Sequence, residues 1–328
     1  MLAAYLQHQG EREKSGIPAL PLTPEQTAQV CQLLLAPPKG QEALLLSLLT
    51  DRVSPGVDPA AKVKAGFLAD VVFARVACPL ITPAAAIKLL ATMIGGYNVA
   101  PLVAALQDEK LAVEAAQALS GITLVYDAFD EVAQLAKAKC AAAAKVMQAW
   151  ADAKWFTTRK GLAASYQLKV YKVDGEINTD DFSPAADAWS RPDIPMHALA
   201  MGKSRFPDGL ATIAQYRKEG YQVAFVGDVV GTGSSRKSAI NSLLWAIGEE
   251  IPFVPNKKSA GVIIGGAIAP IFFNSASRSR TVLMVVSLVR GVMSPQETIA
   301  TLDLRARSMT SLTPLWVSRN SRLSMLGQ

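Results

Sequence analysis

The chain has 328 residues, half of them hydrophobic, with 33 Lys plus Arg against 27 Asp plus Glu. That length suffices for two domains with a sizeable core and excludes a small disulfide scaffold. No apolar run is long enough to cross a membrane, and the N-terminus, Met1-Leu-Ala-Ala-Tyr-Leu-Gln-His-Gln-Gly-Glu-Arg12, lacks the basic-then-apolar order of a signal peptide, so a cytoplasmic protein with no membrane partner is expected.

From Met1 to about Thr158 the pattern is helix after helix. Thr23-Pro24-Glu25-Gln26 is a start signal: Thr as cap, Pro at the first position, Gln three after the cap. The helix that follows carries Val30, Leu33 and Leu34 on one face and stops at Pro37-Pro38-Lys39-Gly40. Further helices are predicted near residues 42–49 and 59–75, and from Thr82-Pro83 to Gly95-Gly96. Others follow near 101–106, 111–119, 130–138 and 141–155. Short Pro/Gly turns between paired helices point to an all-α solenoid of the HEAT type over 1–160, although no fixed repeat period is visible. Such a stack offers a groove for partners or for self-association; otherwise it simply packs on the next domain. Cys31, Cys78 and Cys140 fall in this region, isolated and without metal-ligand spacing, and read as small core residues.

Residues 157–161 form the expected boundary. Tyr166-Gln-Leu-Lys-Val-Tyr-Lys-Val173 alternates as a strand, and Asp174-Gly175 is read as a turn. A polar loop with Thr179, Asp180, Asp181, Ser183 and Pro184 follows, then Arg191-Pro192. Helices near 196–201 and 211–218 lead to the apolar run Val223 to Val230, a buried strand. The chain breaks at Gly231-Thr-Gly233 and resumes as a helix with Ala239, Leu243, Leu244 and Ala246 apolar. Val262-Ile-Ile-Gly-Gly and residues 268–273 supply further strand or helix, giving an α/β or α+β domain over 161–274.

Ser234, Ser235, Arg236, Lys237 and Ser238 therefore sit on a strand-to-helix turn. The first amides of a helix lack intrahelical partners and carry partial positive charge, and small residues let an anion approach them. Arg236 adds a planar fork suited to a carboxylate or phosphate. Two readings stand: a site for a small polyanion, or a glycine turn with Ser capping the helix and a solvated Arg-Lys pair. A dinucleotide fingerprint fails because Arg236 stands where the third glycine belongs, and a phosphate loop fails because Arg236-Lys237-Ser238 lacks the glycine before Lys.

The last segment differs in composition. Up to Asn274 there are 26 Lys plus Arg and 25 Asp plus Glu; from Ser275 to Gln328 there are seven Arg, no Lys, one Glu, one Asp and ten Ser. The basic balance thus lies mostly in 275–328, and it does not establish a nucleic-acid surface on the rest. The segment reads either as an aberrant tail, out of frame with what precedes it, or as a natural basic extension. Residues 281–289 are apolar enough to form a strand.

Gly-x-Gly-Ser-Ser-Arg is the motif of the swivelling domain of the aconitase superfamily, and Gly227-Asp-Val-Val-Gly-Thr-Gly-Ser-Ser-Arg-Lys-Ser238 resembles the bacterial aconitase B family. Asn178-Thr-Asp-Asp-Phe-Ser-Pro184 and Asp187-Ala-Trp-Ser-Arg-Pro-Asp-Ile-Pro195 agree with it. The resemblance runs from Met1 to about Asn274. It implies an aconitate hydratase fragment: reversible dehydration of citrate to isocitrate through cis-aconitate, or the related 2-methylisocitrate dehydration. It implies Ser234 as the base, Ser234, Ser235, Arg236 and Arg191 as the substrate-binding group, and Asp180 as polar support. Without the family, Arg191 reads as a surface residue before a proline turn, and Asp180 and Asp181 as caps. The family's 4Fe-4S cluster is held by cysteines in its C-terminal domains. Cys31, Cys78 and Cys140 match none of them, so this chain is expected to bind no cluster and to be inactive alone. Cluster-free aconitases are known to bind mRNA, which makes a protein- or RNA-binding module on the helical domain the alternative function.

Overall fold

The structure, a computed structural model, describes residues 1–122, 125–158, 161, 163–279, 281–285, 299–303 and 308–311. The chain divides into two compact units: Met1–Gly161 with the loop Pro252–Pro255, and the rest.

The first unit is helical: α1 (Leu2–Glu13), α2 (Pro24–Leu35), α3 (Glu42–Asp51), α4 (Pro59–Val72), α5 (Pro83–Ala91), α6 (Val99–Ala105), α7 (Ala112–Ser120), α8 (Phe129–Lys137), α9 (Ala141–Ala151) and α10 (Lys154–Thr157). Three starts follow one rule, a polar cap followed by proline. Thr23 makes the full capping box with Gln26, Asp58 accepts from the Ala60 amide, and Thr82 accepts from the Ala85 amide. Each such cap contributes about 1 kcal/mol. Helices pack on neighbours one or two along the chain, α2 on α4, α4 on α5, α5 on α7 and α7 on α9. The seam is aliphatic, with Leu34, Leu45, Leu68, Leu90 and Leu102 fully buried. Trp150 Nε1 donates to the Leu119 carbonyl at 2.9 Å and ties α9 to α7.

Two helices end earlier than their apolar patterns predict. The one expected to reach residue 75 stops at Val72, because Ala74 turns left-handed (φ 53°), and the one expected to reach 155 stops at Ala151 before left-handed Ala153 (φ 49°).

The second unit is an α/β layer. Its elements are β1 (Ser165–Asn178), α11 (Thr179–Phe182), α12 (Ile194–Ala198), α13 (Gly209–Lys218), β2 (Gln222–Thr232) and α14 (Arg236–Ile247). Then come β3 (Glu249–Glu250), β4 (Lys258–Ser259), β5 (Val262–Ile268), α15 (Pro270–Ser277), β6 (Val282–Val285), β7 (Ile299–Asp303) and β8 (Ser308–Ser311). The main sheet has the order β6-β5-β2-β1-β7-β8. β1, β2, β5 and β6 run parallel, and β7 and β8 add antiparallel.

The unbroken apolar run of β2 is explained by burial on both faces. Val223 and Phe225 point to the helix-covered side with Ile240, Leu243 and Phe272, while Ala224 and Val226 join Val170, Ile264 and Met284 on the other.

Asp174-Gly175 is not a turn, as the sequence suggested, but a bulge inside β1. The register slips between Val173 and Glu176, and the Gly175 amide donates to Asp228 Oδ2 of β2 at 2.7 Å. The strand-or-helix ambiguity at 268–273 resolves with β5 ending at Ile268 and Pro270 opening α15. Of the strand expected over 281–289, residues 282–285 form β6, and 286–289 lie outside the described residues.

Candidate active site

Parallel β1 and β2 end side by side, with Asn178 paired to Thr232. Ligands of open α/β sheets bind outside such carboxyl ends. The β1 end turns at once into the single turn α11. Asn178 Oδ1 accepts from the Asp180 amide at 2.9 Å, and the Asn178 amide donates to Asp181 Oδ2 at 2.7 Å. Asp181 is thus the capping carboxylate. The Asp180 side chain is exposed and has no hydrogen-bond partner among the described residues. Phe182 anchors the turn, fully buried against Phe225 at 5.1 Å and Phe272 at 5.9 Å between ring centroids.

The β2 end needs its glycines. Gly231 has φ +84°, and a Cβ there would lie 2.2 Å from Phe272 Cγ. Gly233 has φ +100°, and a Cβ there would lie 2.6 Å from both Asn178 Oδ1 and Thr179 Oγ1. The two loops touch at backbone distance: the Ser235 amide donates to Thr179 Oγ1 at 3.2 Å.

Ser235 is the residue before α14, yet its hydroxyl caps no amide. It accepts instead from Arg191 Nη2 at 3.1 Å, so the capping reading of this serine does not hold. Arg191 Nη2 also reaches the Ser183 carbonyl at 3.4 Å, whereas Arg191 Nε is buried with no partner among the described residues. Arg236 Nη1 donates to the Ser234 carbonyl at 3.3 Å. Neither guanidinium is paired with a carboxylate among the described residues. Ser234 is exposed. Beside Arg236 opens a cleft of about 300 Å³ lined also by Lys237, Ile271, Asn274, Ser275 and Arg278. Its cations are Arg236, Lys237 and Arg278, an anion-favouring set.

The structure thus brings Arg191 and Ser235 into contact, places Ser234 and Arg236 on the same turn, and puts Asp180 on the adjoining one. Sequence reasoning missed a buried polar cluster behind them. His197, 2 % exposed, meets Ser183 Oγ through Nε2 at 2.7 Å, and through Nδ1 meets Ser190 Oγ at 2.8 Å and the Asp187 carbonyl at 3.1 Å. Ser183 Oγ also bonds Ser238 Oγ at 2.7 Å. Burial, then the Arg191 guanidinium, pushes the imidazole below its ordinary value of 6.5, so it is neutral at physiological pH. The sequence signal was faint: one of only two histidines, next to a proline turn.

The cysteines do not fit a cluster, which needs ionised thiolates gathered around iron. Burial pushes Cys31 up to about 12, while Cys78 Sγ donates to the Leu34 carbonyl and Cys140 Sγ to the Leu106 carbonyl. Among the described residues no three His, Cys, Asp or Glu side chains gather as a metal site.

Two family models and several curated relatives match the chain. The family model described as the aconitate B N-terminal domain matches residues 4–156, and the one described as the aconitate hydratase 2 N-terminus matches 168–305. The second match runs past Asn274, where the sequence reading ended the resemblance. Aconitate hydratase B of Synechocystis sp. is 53 % identical over 281 residues, covering 85 % of this chain and 32 % of the relative. The Escherichia coli K12 protein of that name is 53 % identical over 285 residues, covering 84 % and 33 %, and that of Helicobacter pylori J99 is 48 % identical over 280 residues, covering 85 % and 33 %. The chain spans about a third of the length of these curated relatives. Helical unit and sheet unit match the two N-terminal models in order, and the chain belongs to the aconitate hydratase B family.

Proposed function

We propose that this chain carries one half of an aconitate hydratase substrate site, on a swivelling domain preceded by a HEAT-like solenoid. The carrying observation is Arg191 bonded to Ser235 at the β1–β2 edge, with Arg236 one residue on and neither arginine neutralised by a carboxylate among the described residues. A tricarboxylate such as citrate, cis-aconitate or isocitrate carries about three negative charges at neutral pH, since carboxyl pKa values lie near ~4. Two guanidinium forks and the first amides of α14 suit it.

In this reading Arg191, Ser235 and Arg236 hold carboxylates, and Asp180 supports them from α11. Ser234 takes the proton from the carbon α to a carboxylate. That carbon acid is weak, so the serine acts as an alkoxide, favoured by the positive end of α14 and by Arg236. Loss of the hydroxyl from the neighbouring carbon has no agent among the described residues, because the cysteines fit no 4Fe-4S cluster. Catalysis therefore belongs to a longer protein or to a complementing chain, and the isolated chain is a binding half in the cytoplasm.

Citrate titration followed by NMR of the 231–238 amides tests the site. Those amides are expected to move, and Arg236→Lys is expected to bind at least fivefold more weakly, because a point charge cannot make the planar two-pronged contact. Static amides, or equal binding by the lysine variant, would remove the reading. Hydration of cis-aconitate by this chain alone after anaerobic iron–sulfur reconstitution would overturn the half-site claim.

A further inference from the structure

We propose that His197 is a positioning residue: through Ser183 it holds Arg191 and the first turn of α14 in the arrangement that presents Ser235. The proposal rests on the half-site reading above. Ser183 is fully buried and stands at the junction of three contacts. Its hydroxyl meets His197 Nε2 at 2.7 Å and Ser238 Oγ at 2.7 Å, and its carbonyl takes Arg191 Nη2 at 3.4 Å. Ser238 in turn lies on the first turn of α14, within 3.0 Å of the Ser235 carbonyl. Arg191 closes the loop on Ser235 Oγ.

Both ring nitrogens are held: Nδ1 lies 2.8 Å from Ser190 Oγ and 3.1 Å from the Asp187 carbonyl, and Nε2 lies 2.7 Å from Ser183 Oγ. Ser183 Oγ donates to Ser238 Oγ at 2.7 Å, and Ser238 Oγ donates in turn to the Ser235 carbonyl at 3.0 Å. The contacts therefore run without a gap from the Asp187 carbonyl through His197, Ser183 and Ser238 to the backbone of Ser235. Asp187 is itself held by Lys203, through Nζ–Oδ2 at 3.1 Å, so the far end does not drift.

The test needs no turnover. With only two histidines in the chain, ¹⁵N labelling of histidine resolves each ring. The His197 Nε2 signal is expected to move in Ser183→Ala while the His8 signals stay, and an unmoved Nε2 signal would overturn the proposal. In the ligand-free protein, His197→Leu and Ser183→Ala are expected to shift the Ser235 and Ser238 amides and the Arg191 guanidinium signal, and to weaken citrate binding at least fivefold. His197→Gln, whose side-chain amide can still hydrogen-bond Ser183, is expected to stay within about twofold of the parent. Unshifted ligand-free signals in Ser183→Ala, or a Gln variant as defective as Leu, would overturn the role. Should His197→Leu not fold, Ser183→Ala decides alone. A parent chain that binds no citrate sinks the half-site reading, while the ligand-free signals still decide on His197.

Discussion

At the scale of single residues, the helical unit contains one charge in an unusual place. Lys64 is 2 % exposed, and its Nζ donates to the Thr50 carbonyl at 3.2 Å. Burial pushes its ammonium from an ordinary 10.5 down to about 8, with Asp51 and then Cys31 acting in the other direction. Between those two values the unfolded chain binds the extra proton, so this group makes the fold more stable as pH rises and less stable as pH falls through about 8. Cys31 works oppositely: its thiol is pushed from 9.0 up to about 12, which costs stability as pH rises above 9. The window from pH 8 to 9 therefore isolates Lys64. Below it the charged lysine costs on the order of 3 kcal/mol, because each tenfold loss of proton affinity on folding is worth about 1.4 kcal/mol. Lys64→Met keeps the volume and removes the charge. It is expected to raise the urea midpoint at pH 7, and its advantage over the parent should shrink by roughly 1 kcal/mol by pH 9. A difference independent of pH would show that Lys64 is solvated.

At the scale of elements, the turn between β2 and α14 carries Ser234, Ser235 and Arg236 of the candidate site, and its geometry can be tested without a ligand. Gly231→Ala forces a left-handed φ on a residue with a Cβ and drives that atom into Phe272 of α15. Strain of about 1–3 kcal/mol adds to overpacking of similar size, so unfolding of the sheet unit is expected at least ~2 kcal/mol easier. Urea denaturation followed by far-UV circular dichroism measures it, and an unchanged midpoint would mean that the turn relaxes freely. This turn was legible in the sequence as a break between an apolar strand and a helix, because Gly231 and Gly233 interrupt both patterns, whereas its reading as an anion site came from the family resemblance. So were the capped helix starts at Thr23 and Thr82, where proline follows the cap. The bulge at Gly175 was not legible, since a turn and a bulge both call for glycine, and only the Asp228 carboxylate across the sheet decides between them. Nor was the His197 cluster: Ser183, Asp187 and Ser190 lie within 14 residues of His197, but no periodicity marks them as facing inward, and Ser238 joins them from the other loop only after folding.

At the scale of the whole molecule, the change in composition after Asn274 does not coincide with a change in architecture. α15 runs through that point to Ser277, with Phe272 and Ala276 both fully buried. β6 then lies parallel on β5, from Val262 opposite Val282 to Gly265 opposite Val285. Val282 and Met284 are buried on the face shared with Val262 and Ile264. At the other edge β7 pairs antiparallel with β1, Ser165 opposite Asp303 through Lys169 opposite Ile299. The segment that carries most of the net positive charge thus also covers β5 and β1, whose unpaired edges would be templates for association. Burying a valine or methionine side chain is worth ~1.5–3 kcal/mol, so losing Val282 and Met284 removes at least ~3 kcal/mol before any strand pairing is counted. In a unit of this size ~1 kcal/mol corresponds to roughly 2–4 °C, so a chain truncated after Ser279 is expected to unfold about 10 °C lower. It is also expected to scatter light at concentrations where the parent does not. Thermal unfolding and light scattering on the two chains decide. Equal midpoints with equal monodispersity would show that the sheet is complete at β5 and β1, and that the arginine-rich segment rests on it without holding it.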